Sequence, residues 1–444
     1  MTGKPSVIIF DNSPGGLNTI SRALAASLVP RDAEPLVSIL DNPLVEYRQA
    51  NLTVPAVVAA CFVPPEGQAP YDYVFDFTGE VRDDRTEMIQ INTTLSISRL
   101  IGLEAAKHKV KAYVRIQLPF YDTGSSSKSQ HTEKDDIKPV NTIGIWWHET
   151  LRALAAIEGL NLVILRIGFV YGPYTNYGII TSGITVASVY GYLKKPMKSM
   201  WSPGKNPNNT VNVADVAGAA WACADWMASL GRTEANILAG EEILFHNDKK
   251  KVKEVEGMPP HDQKLIAPLF NLVDDSNSTL LSIGEVVTSY FGTTFEFFTF
   301  VENAAMKLTG DHVEEINEHH VGGWTEMITT SKPPIPNTPL SAYMDSFALA
   351  KHRIPSTIFM PSRDATSLEA PSPTEYELLP PSVPGEQRQS LMGQEEQVQK
   401  SERRHGDLVA MCLALVGLGG GSVWFKGAAF GGGAKAKAVW KYHR

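Results

Sequence analysis

The sequence is poor in cysteine and has no excess of basic residues, and both deficits exclude classes of protein. Its 444 residues include three cysteines, Cys61, Cys223 and Cys412. Three cysteines so far apart cannot form a disulfide framework or a paired-cysteine metal site. Forty Lys and Arg against 48 Asp and Glu leave a formal charge of −8, which argues against a dedicated nucleic-acid binder. We therefore expect a protein of a reducing compartment with no nucleic-acid partner.

Long apolar runs are also scarce. The first twelve residues hold four consecutive apolar residues, whereas a signal peptide needs about 7–15, so we expect a cytoplasmic protein. One run, 408–425, extends 18 residues without a charge, near the lower limit of the roughly 20 that span a bilayer. Its four glycines weaken a helix there. The alternatives are a membrane tether facing the cytosol and an unstructured Gly-rich end.

Short apolar runs alternate with amphipathic stretches from about residue 5 to residue 226. Predicted strands cover 7–10, 36–40, 73–77, 111–118 and 160–168, and predicted helices cover 20–29, 94–109 and 146–158. Continuous β-branched runs separated by helices are typical of a parallel sheet covered on both faces. The pattern predicts an α/β fold with a Rossmann-like, doubly wound parallel sheet.

The pattern loosens after residue 230. We predict a solvated turn at 249–253, a strand at 269–275, a helix at 280–292 closed by Gly292, and mixed helical structure over 293–330. Seven prolines lie between Arg353 and Gln387. Such a segment buries too little apolar surface to offset its ordering entropy, so we predict disorder over 353–407.

A glycine-rich turn between the first strand and the first helix predicts a phosphate-binding loop. Gly15 and Gly16 fit the turn, while Asn18 and Ser21 stand where two further glycines are expected. Asn adopts a left-handed conformation readily, and Ser is small enough for close helix packing. An ordinary Gly-Gly turn is the alternative interpretation.

An acidic residue about 20 positions after such a loop binds the adenosine ribose in dinucleotide sites. Asp41 lies 20 residues after Ser21, at the end of the predicted second strand. Its carboxylate favours NAD over NADP, because it repels a 2′-phosphate. A turn-forming Asp is the alternative.

Several motifs in order resemble the extended short-chain dehydrogenases, in particular the NAD-dependent epimerase/dehydratase family and a fungal and protist branch of it. The resemblance runs from about residue 5 to 350. The motif segments are 72–80, 90–106, 166–174 with its VYGP, and 209–226 with Asp215. The resemblance implies a bound NAD or NADP, adds Thr78, Asn92 and Ile167 to the cofactor site, and makes Asn92 the family's buried Asn.

The family's catalytic pattern is a Ser or Thr after the fifth strand and Tyr-x-x-x-Lys on the next helix. Here Gln117 or Leu118 occupies the Ser position, Ile143 the Tyr position and Trp147 the Lys position. Isoleucine cannot transfer a proton, so the pattern is degraded.

Tyr121 and His148 are the best local substitutes, because Tyr and His together can perform proton transfer. A surface His on the helix is the alternative for His148. Trp146 and Trp147 are expected to pack against the sheet rather than stack on a ligand.

The resemblance implies two readings of function. The first is an NAD(P)-binding epimerase or dehydratase that transfers hydride to or from a nucleotide-sugar or another hydroxylated metabolite, with a homodimer as a further expectation. The second is a catalytically inactive dinucleotide-binding sensor or scaffold, favoured by the missing Tyr and Lys. The shortened segment 42–45, and Asn51 at a position where the family often has Asp, put cofactor binding in question.

The same reasoning divides the chain into four parts. We predict an NAD(P)-binding domain over 1–230, a substrate lobe over 231–352 interleaved with it, a disordered linker over 353–407 and a Gly-rich apolar tail over 408–444. Asp274 and Asp275 are adjacent on a strand and so point apart, which favours a turn or cap role. Glu314, Glu315, His319 and His320 do not complete a metal-ligand set, so no metal is expected.

Overall fold

The structure is a computed structural model. It describes residues 5–11, 19–28, 44–82, 85–122, 131–172, 175, 179–199, 201–301, 325–327, 329–330 and 439–442. The strands are β1 Val7–Phe10, β2 Val45–Arg48, β3 Tyr73–Asp76, β4 Ala112–Gln117, β5 Tyr121–Asp122, β6 Lys138–Pro139, β7 Leu162–Ile167, β8 Phe169–Tyr171, β9 Met197–Ser199, β10 Thr210–Asn212, β11 Gly240–Glu242, β12 Ile266–Leu272, β13 Phe295–Phe297 and β14 Val439–Tyr442. The helices are α1 Thr19–Leu28, α2 Pro55–Cys61, α3 Glu87–Gln90, α4 Ile97–Lys107, α5 Asn141–Ala155, α6 Ile179–Leu193, α7 Val213–Ala239, α8 Lys249–Lys253 and α9 Leu280–Tyr290, and a π-helical segment, Ile91–Ser96, joins α3 to α4.

Eight strands form the main sheet in the order β11-β12-β7-β4-β3-β1-β14-β2. The strands β12, β7, β4, β3 and β1 are mutually parallel. The edge strand β11 is antiparallel to β12, and β14 is antiparallel to both β1 and β2. The predicted doubly wound, Rossmann-like sheet is therefore confirmed.

The strands β3, β4 and β7 are buried along their full length because helices cover both faces of the sheet. On β4, Ala112, Val114 and Ile116 join the core cluster that contains residues of α1 and α7. Tyr113 faces the other way, into the cluster formed with α2, α4 and α5. Since side chains alternate along a strand, Arg115 and Gln117 lie on the same face as Tyr113. That face carries the candidate site.

A smaller part of the molecule is built from α6, α9 and short strands. Helices α6 and α9 pack together around Ile184 and Val287, and β9 pairs in parallel with β13. The prediction of mixed helical structure over 293–330 is wrong for Phe295–Phe297, which form this strand. The predicted helix 280–292 is confirmed as α9, and Gly292 after it has a φ of 64°.

The position next to β1 in the sheet is occupied by a strand from the C-terminal end of the chain. In the dinucleotide-binding strand order, the second strand of the sequence lies beside the first. Here β14 lies there instead, between β1 and β2. The predicted strand 36–40 lies outside the described residues, and the division of the chain into four parts remains a prediction.

In the part of the chain that the structure covers, no helix is both long and apolar enough to cross a bilayer. The run 408–425 lies outside that part. The predicted turn at 249–253 is a short helix, α8, whose first turn is capped by the Asp248 carboxylate.

Candidate functional site

The carboxyl ends of the parallel strands carry a row of polar side chains. In α/β sheets, ligands bind in the crevice at this edge. In the strand register, Asp76 is beside Arg115, Gln117 is beside Arg166, and Arg166 is beside Asn271. Residues paired in this way share one face of the sheet. The row therefore lies under α5, on the face where the resemblance places catalysis.

An ion pair with no solvent exposure occupies the centre of this row. The Arg115 Nη1 and the Asp76 Oδ1 are 3.0 Å apart, and both side chains are 0% exposed. Arg115 Nη1 also donates to the Thr78 carbonyl oxygen at 2.5 Å. The Asp76 carboxylate accepts hydrogen bonds from the hydroxyls of Tyr113 and Thr78, each at 2.6 Å. Burial and the Asp76 charge raise the pKa of Tyr113 well above its usual value.

Trp147, at the family's Lys position, fills the space above this ion pair. Its ring centroid lies 4.6 Å from the Arg115 guanidinium carbon, and its indole nitrogen donates to the Glu80 carbonyl oxygen at 2.7 Å. A Cβ atom placed on Gly79 would be 2.2 Å from the ring. The expectation that Trp147 packs against the sheet is confirmed, and the position has no amine to lower a tyrosine pKa.

The structure brings Tyr121 and His148 together, as the catalytic prediction requires. The Tyr121 hydroxyl and the His148 Nδ1 are 3.2 Å apart, and the His148 Nε2 is 2.7 Å from the Leu244 carbonyl oxygen. Because a carbonyl only accepts hydrogen bonds, Nε2 carries the proton and Nδ1 accepts from the tyrosine. Both ring nitrogens of the neutral histidine are therefore hydrogen-bonded within the protein.

Burial keeps the Tyr121–His148 pair neutral. Tyr121 is 1% exposed and His148 is 7% exposed, so the reading of His148 as a surface residue is wrong. Desolvation lowers the pKa of His148 to about 3 and raises the pKa of Tyr121 above its usual value. At neutral pH neither group holds a charge, and their catalytic role remains a prediction.

The next residues of α5 bind the segment that follows β11, which we did not predict from the sequence. The Glu149 Oε1 accepts from the His246 backbone N–H at 2.9 Å. The Arg152 guanidinium donates to the carbonyl oxygens of Ile243 at 2.6 Å and Pro260 at 3.0 Å. Burial raises the pKa of Glu149 to about 7. The one signal in the sequence was a Glu and an Arg on a helix whose other positions are mostly apolar.

Of the predicted cofactor residues, Ser21, Thr78, Asn92 and Ile167 are described. Gly15, Gly16, Asn18 and Asp41 lie outside the described residues.

Three of the four described positions are buried. The Ser21 hydroxyl donates to the buried Asp11 carboxylate at 2.5 Å, which fastens α1 to the end of β1. Thr78 is buried and bonded to Asp76, and Ile167 is fully buried.

Asn92 departs from the resemblance, because its side chain is exposed. The prediction that it is the family's buried Asn is therefore wrong. The neighbouring Thr94 is buried and accepts from the Glu80 backbone N–H at 2.9 Å. Asn92 and Thr94 both lie in the π-helical segment.

The Asp274 carboxylate after β12 has a structural role, as predicted. Asp274 accepts from the Thr210 hydroxyl at 2.9 Å and from the Ser276 backbone N–H at 3.0 Å. Within the described ranges, no group of three or more His, Cys, Asp or Glu residues is arranged to hold a metal ion. Glu314, Glu315, His319 and His320 lie outside those ranges.

Neither a protein-family model nor a curated protein sequence matches the chain. Among solved structures it is similar to the enzyme WbmG of Bordetella bronchiseptica, in complex with NAD and UDP, at 14% identity with a TM-score of 0.44, over 66% of this chain and 80% of that one. It is similar to UDP-glucose 4-epimerase of Thermotoga maritima, with UDP-glucose, at 14% identity with a TM-score of 0.43, over 66% and 87%. It is also similar to dTDP-4-dehydrorhamnose reductase of Bacillus anthracis, in complex with NADP, at 11% identity with a TM-score of 0.45, over 67% and 86%. Similarity at this level says nothing about function, and the fold follows from the strand order itself.

Proposed function

We propose that this protein binds a nicotinamide dinucleotide at the carboxyl edge of its sheet without transferring hydride, and that it acts as a sensor or scaffold. The observation that carries this proposal is the packing of Trp147 against Arg115 and Gly79. A Tyr and a Lys one helical turn apart supply the proton transfer in the family that the motifs resemble. Here the Tyr position is a buried Ile143, and an indole fills the Lys position.

Dinucleotide binding is supported by the arrangement of β1 and α1. In dinucleotide sites, the third residue of the loop motif allows the helix to pack closely on the sheet. Ser21 stands at that position, is fully buried and is bonded to Asp11 at the end of β1. The helix N-terminus on which a pyrophosphate rests is therefore held at the carboxyl edge. Gly15, Gly16, Asn18 and Asp41, together with Thr78, Asn92 and Ile167, remain the proposed cofactor residues.

The second candidate is an active epimerase or dehydratase that acts on a nucleotide-sugar or a similar hydroxylated metabolite. The hydrogen bond between Tyr121 and His148 is the observation that favours it, with this pair as acid and base. The burial of both groups and the two hydrogen bonds of the histidine favour the first proposal instead.

Thermal denaturation of the full chain with NAD(H) and NADP(H) tests dinucleotide binding. A ligand at a hundred times its dissociation constant adds about 2.7 kcal/mol of stability. We expect stabilisation by NAD(H) at least equal to that by NADP(H), because Asp41 disfavours the 2′-phosphate. The absence of any shift with all four nucleotides would refute the binding proposal.

A further inference from the structure

We propose that Arg115 binds the carboxylate of a small hydroxy acid beneath Trp147, and that Gln117 accepts a hydrogen bond from the ligand's hydroxyl. Two of the three guanidinium nitrogens of Arg115 lack a hydrogen-bond partner among the described residues. The proposed carboxylate site does not depend on dinucleotide binding, because Arg115 and Gln117, the two groups that would hold the ligand, are not among the proposed cofactor residues.

The Arg115 guanidinium forms hydrogen bonds through Nη1 but none along its side edge to any described residue. Nη1 donates to Thr78 and pairs with Asp76. Nε and Nη2 have no hydrogen-bond partner among the residues that the structure describes. These two nitrogens form the side edge of the guanidinium, whose parallel N–H groups match the two oxygens of a carboxylate. Burying charged donors without partners is costly, so an acceptor bound at this edge would stabilise the folded protein.

Gln117, two residues further along β4, carries a buried acceptor that has no donor among the described residues. Its Nε2 donates to the Leu118 carbonyl oxygen at 3.1 Å, which fixes the orientation of the amide. Its Oε1 is buried and has no donor within the described part of the chain. Because side chains two apart on a strand share a face at about 6.6 Å, one small molecule can reach both residues. A ligand for both residues must offer an acceptor to Arg115 and a donor to Gln117. A hydroxy acid supplies both, through its carboxylate and its hydroxyl.

The charges around the site favour a ligand with one negative charge. Asp76 already neutralises Arg115, so a bound monoanion leaves one net negative charge in the interior. Arg166 lies beside Gln117 in the strand register and donates from Nε to the Asn271 side chain at 2.8 Å, so a second guanidinium is near. A phosphate dianion would place a further unpaired charge in a buried site, at a larger desolvation cost.

Trp147 limits the size of the ligand and reports on it. Its ring covers the face of the Arg115 guanidinium and leaves the edge as the place for a partner. A carboxylate that binds this edge approaches the indole, so its binding changes the fluorescence of Trp147. The ligand is therefore a small, flat acid rather than a bulky one.

The test measures the unfolding temperature and tryptophan emission of the full chain in sodium glycolate, acetate, phosphate and chloride at constant ionic strength. We expect saturable stabilisation by glycolate, weaker stabilisation by acetate, and none by phosphate relative to chloride. Glycolate should also change the emission, and Trp147→Phe should remove that change while the thermal shift remains. An equal response to all four anions, or none, would overturn the proposal and assign the edge to a structural water. Equal shifts with glycolate and acetate would overturn the role of Gln117.

Variants of Arg115 and Gln117 test whether these two residues cause the response to glycolate. Arg115→Lys keeps the charge beside Asp76 but lacks the two parallel N–H groups, and we expect at least a tenfold loss of glycolate affinity. Arg99→Lys, a matched change on α4 outside the row, should bind as the wild type does. If Arg115→Lys does not fold, Gln117→Leu decides, because it should abolish the preference for glycolate over acetate. A preference that survives Gln117→Leu contradicts the proposal. Failure of dinucleotide binding leaves these results unchanged.

Discussion

At the residue scale, the Tyr121–His148 pair shows how a hydrogen bond between two potentially catalytic groups can be structural. The tyrosine donates to Nδ1, and the Nε2–H of the histidine donates to the Leu244 carbonyl oxygen in the segment after β11. The pair therefore connects β5, α5 and that segment. Its two members are satisfied by each other and by the backbone rather than by a substrate.

Replacing Tyr121 by Phe should destabilise the protein without changing dinucleotide binding. The variant leaves the buried His148 Nδ1 without its donor, which costs about 1–3 kcal/mol. Urea denaturation monitored by circular dichroism measures the loss. Tyr192→Phe is the control, because that hydroxyl is exposed and its removal should be nearly neutral. A Tyr121→Phe variant of wild-type stability that had lost a measurable turnover would support the enzyme reading.

Glu149 should make stability fall as pH rises from about 4.5 to about 7. Its folded pKa is raised to about 7, so in this range the folded state binds more protons than the unfolded state, and its stabilisation is lost as pH rises. The groups that face it are Arg152 on α5 and His246, whose ring contacts Asp136. The neighbouring His148, with a pKa lowered to about 3, gives the opposite slope below its unfolded pKa.

Glu149→Gln isolates this contribution, because His148 is unchanged in both proteins. Between pH 4.5 and 7, the wild type should lose up to about 3 kcal/mol relative to the variant. Urea denaturation at several pH values measures the difference, with the exposed Glu158→Gln as the control. Parallel stability curves for the wild type and Glu149→Gln would contradict the account.

At the element scale, the site depends on the close approach of α5 to the loop after β3. Gly79 lies directly against the Trp147 ring, so Gly79→Ala should destabilise the protein by more than about 2 kcal/mol, as overpacking does. Thermal denaturation checks this. The matched control is Gly183→Ala in α6, where an added Cβ meets nothing within 4 Å and helix propensity predicts a gain of about 0.5–1 kcal/mol. Equal effects of the two substitutions would refute the packing argument.

The positions of the strands and helices could be predicted from the sequence better than the side-chain contacts between them. The strands at 7–10, 73–77, 111–118 and 160–168 were predictable because both of their faces are buried, and Tyr121 and His148 were located by motif spacing. The ion pair of Asp76 with Arg115 joins residues 39 positions apart, and no local pattern marks such a pairing. The hydrogen bonds from Arg152 to the carbonyl oxygens of Ile243 and Pro260 could not be predicted either. Every residue has a backbone carbonyl, so the sequence does not mark these two as acceptors.

At the scale of the whole molecule, the C-terminal strand completes the sheet. β14 pairs along its full length with β1 on one side and β2 on the other. Without β14, both strands would present unpaired backbone groups. Truncation after residue 438 should therefore lower the free energy of unfolding by more than about 2 kcal/mol and increase aggregation. Truncation after residue 442 is the control, and equal stability of the two products would contradict the strand order.

Membrane pelleting of the full chain distinguishes the two alternatives for 408–425, a membrane tether and an unstructured Gly-rich end. If the run anchors the protein, Leu413→Lys with Leu415→Lys should release it, because charges at the centre of a span are costly. This pair of substitutions keeps β14, which a truncation near residue 400 would remove. Partitioning that is the same with and without the lysines would refute the tether.

The most direct test of the central claim is a single-turnover experiment with protein in excess of dinucleotide. NAD or NADH is incubated with the full chain and a panel of UDP- and dTDP-sugars, and the redox state of the bound cofactor is read from its absorbance. The account predicts binding with no change in redox state, because Ile143 and Trp147 replace the acid and the amine. Formation or consumption of NADH at the concentration of the dinucleotide, and its loss in Tyr121→Phe, would contradict it and establish the enzyme interpretation.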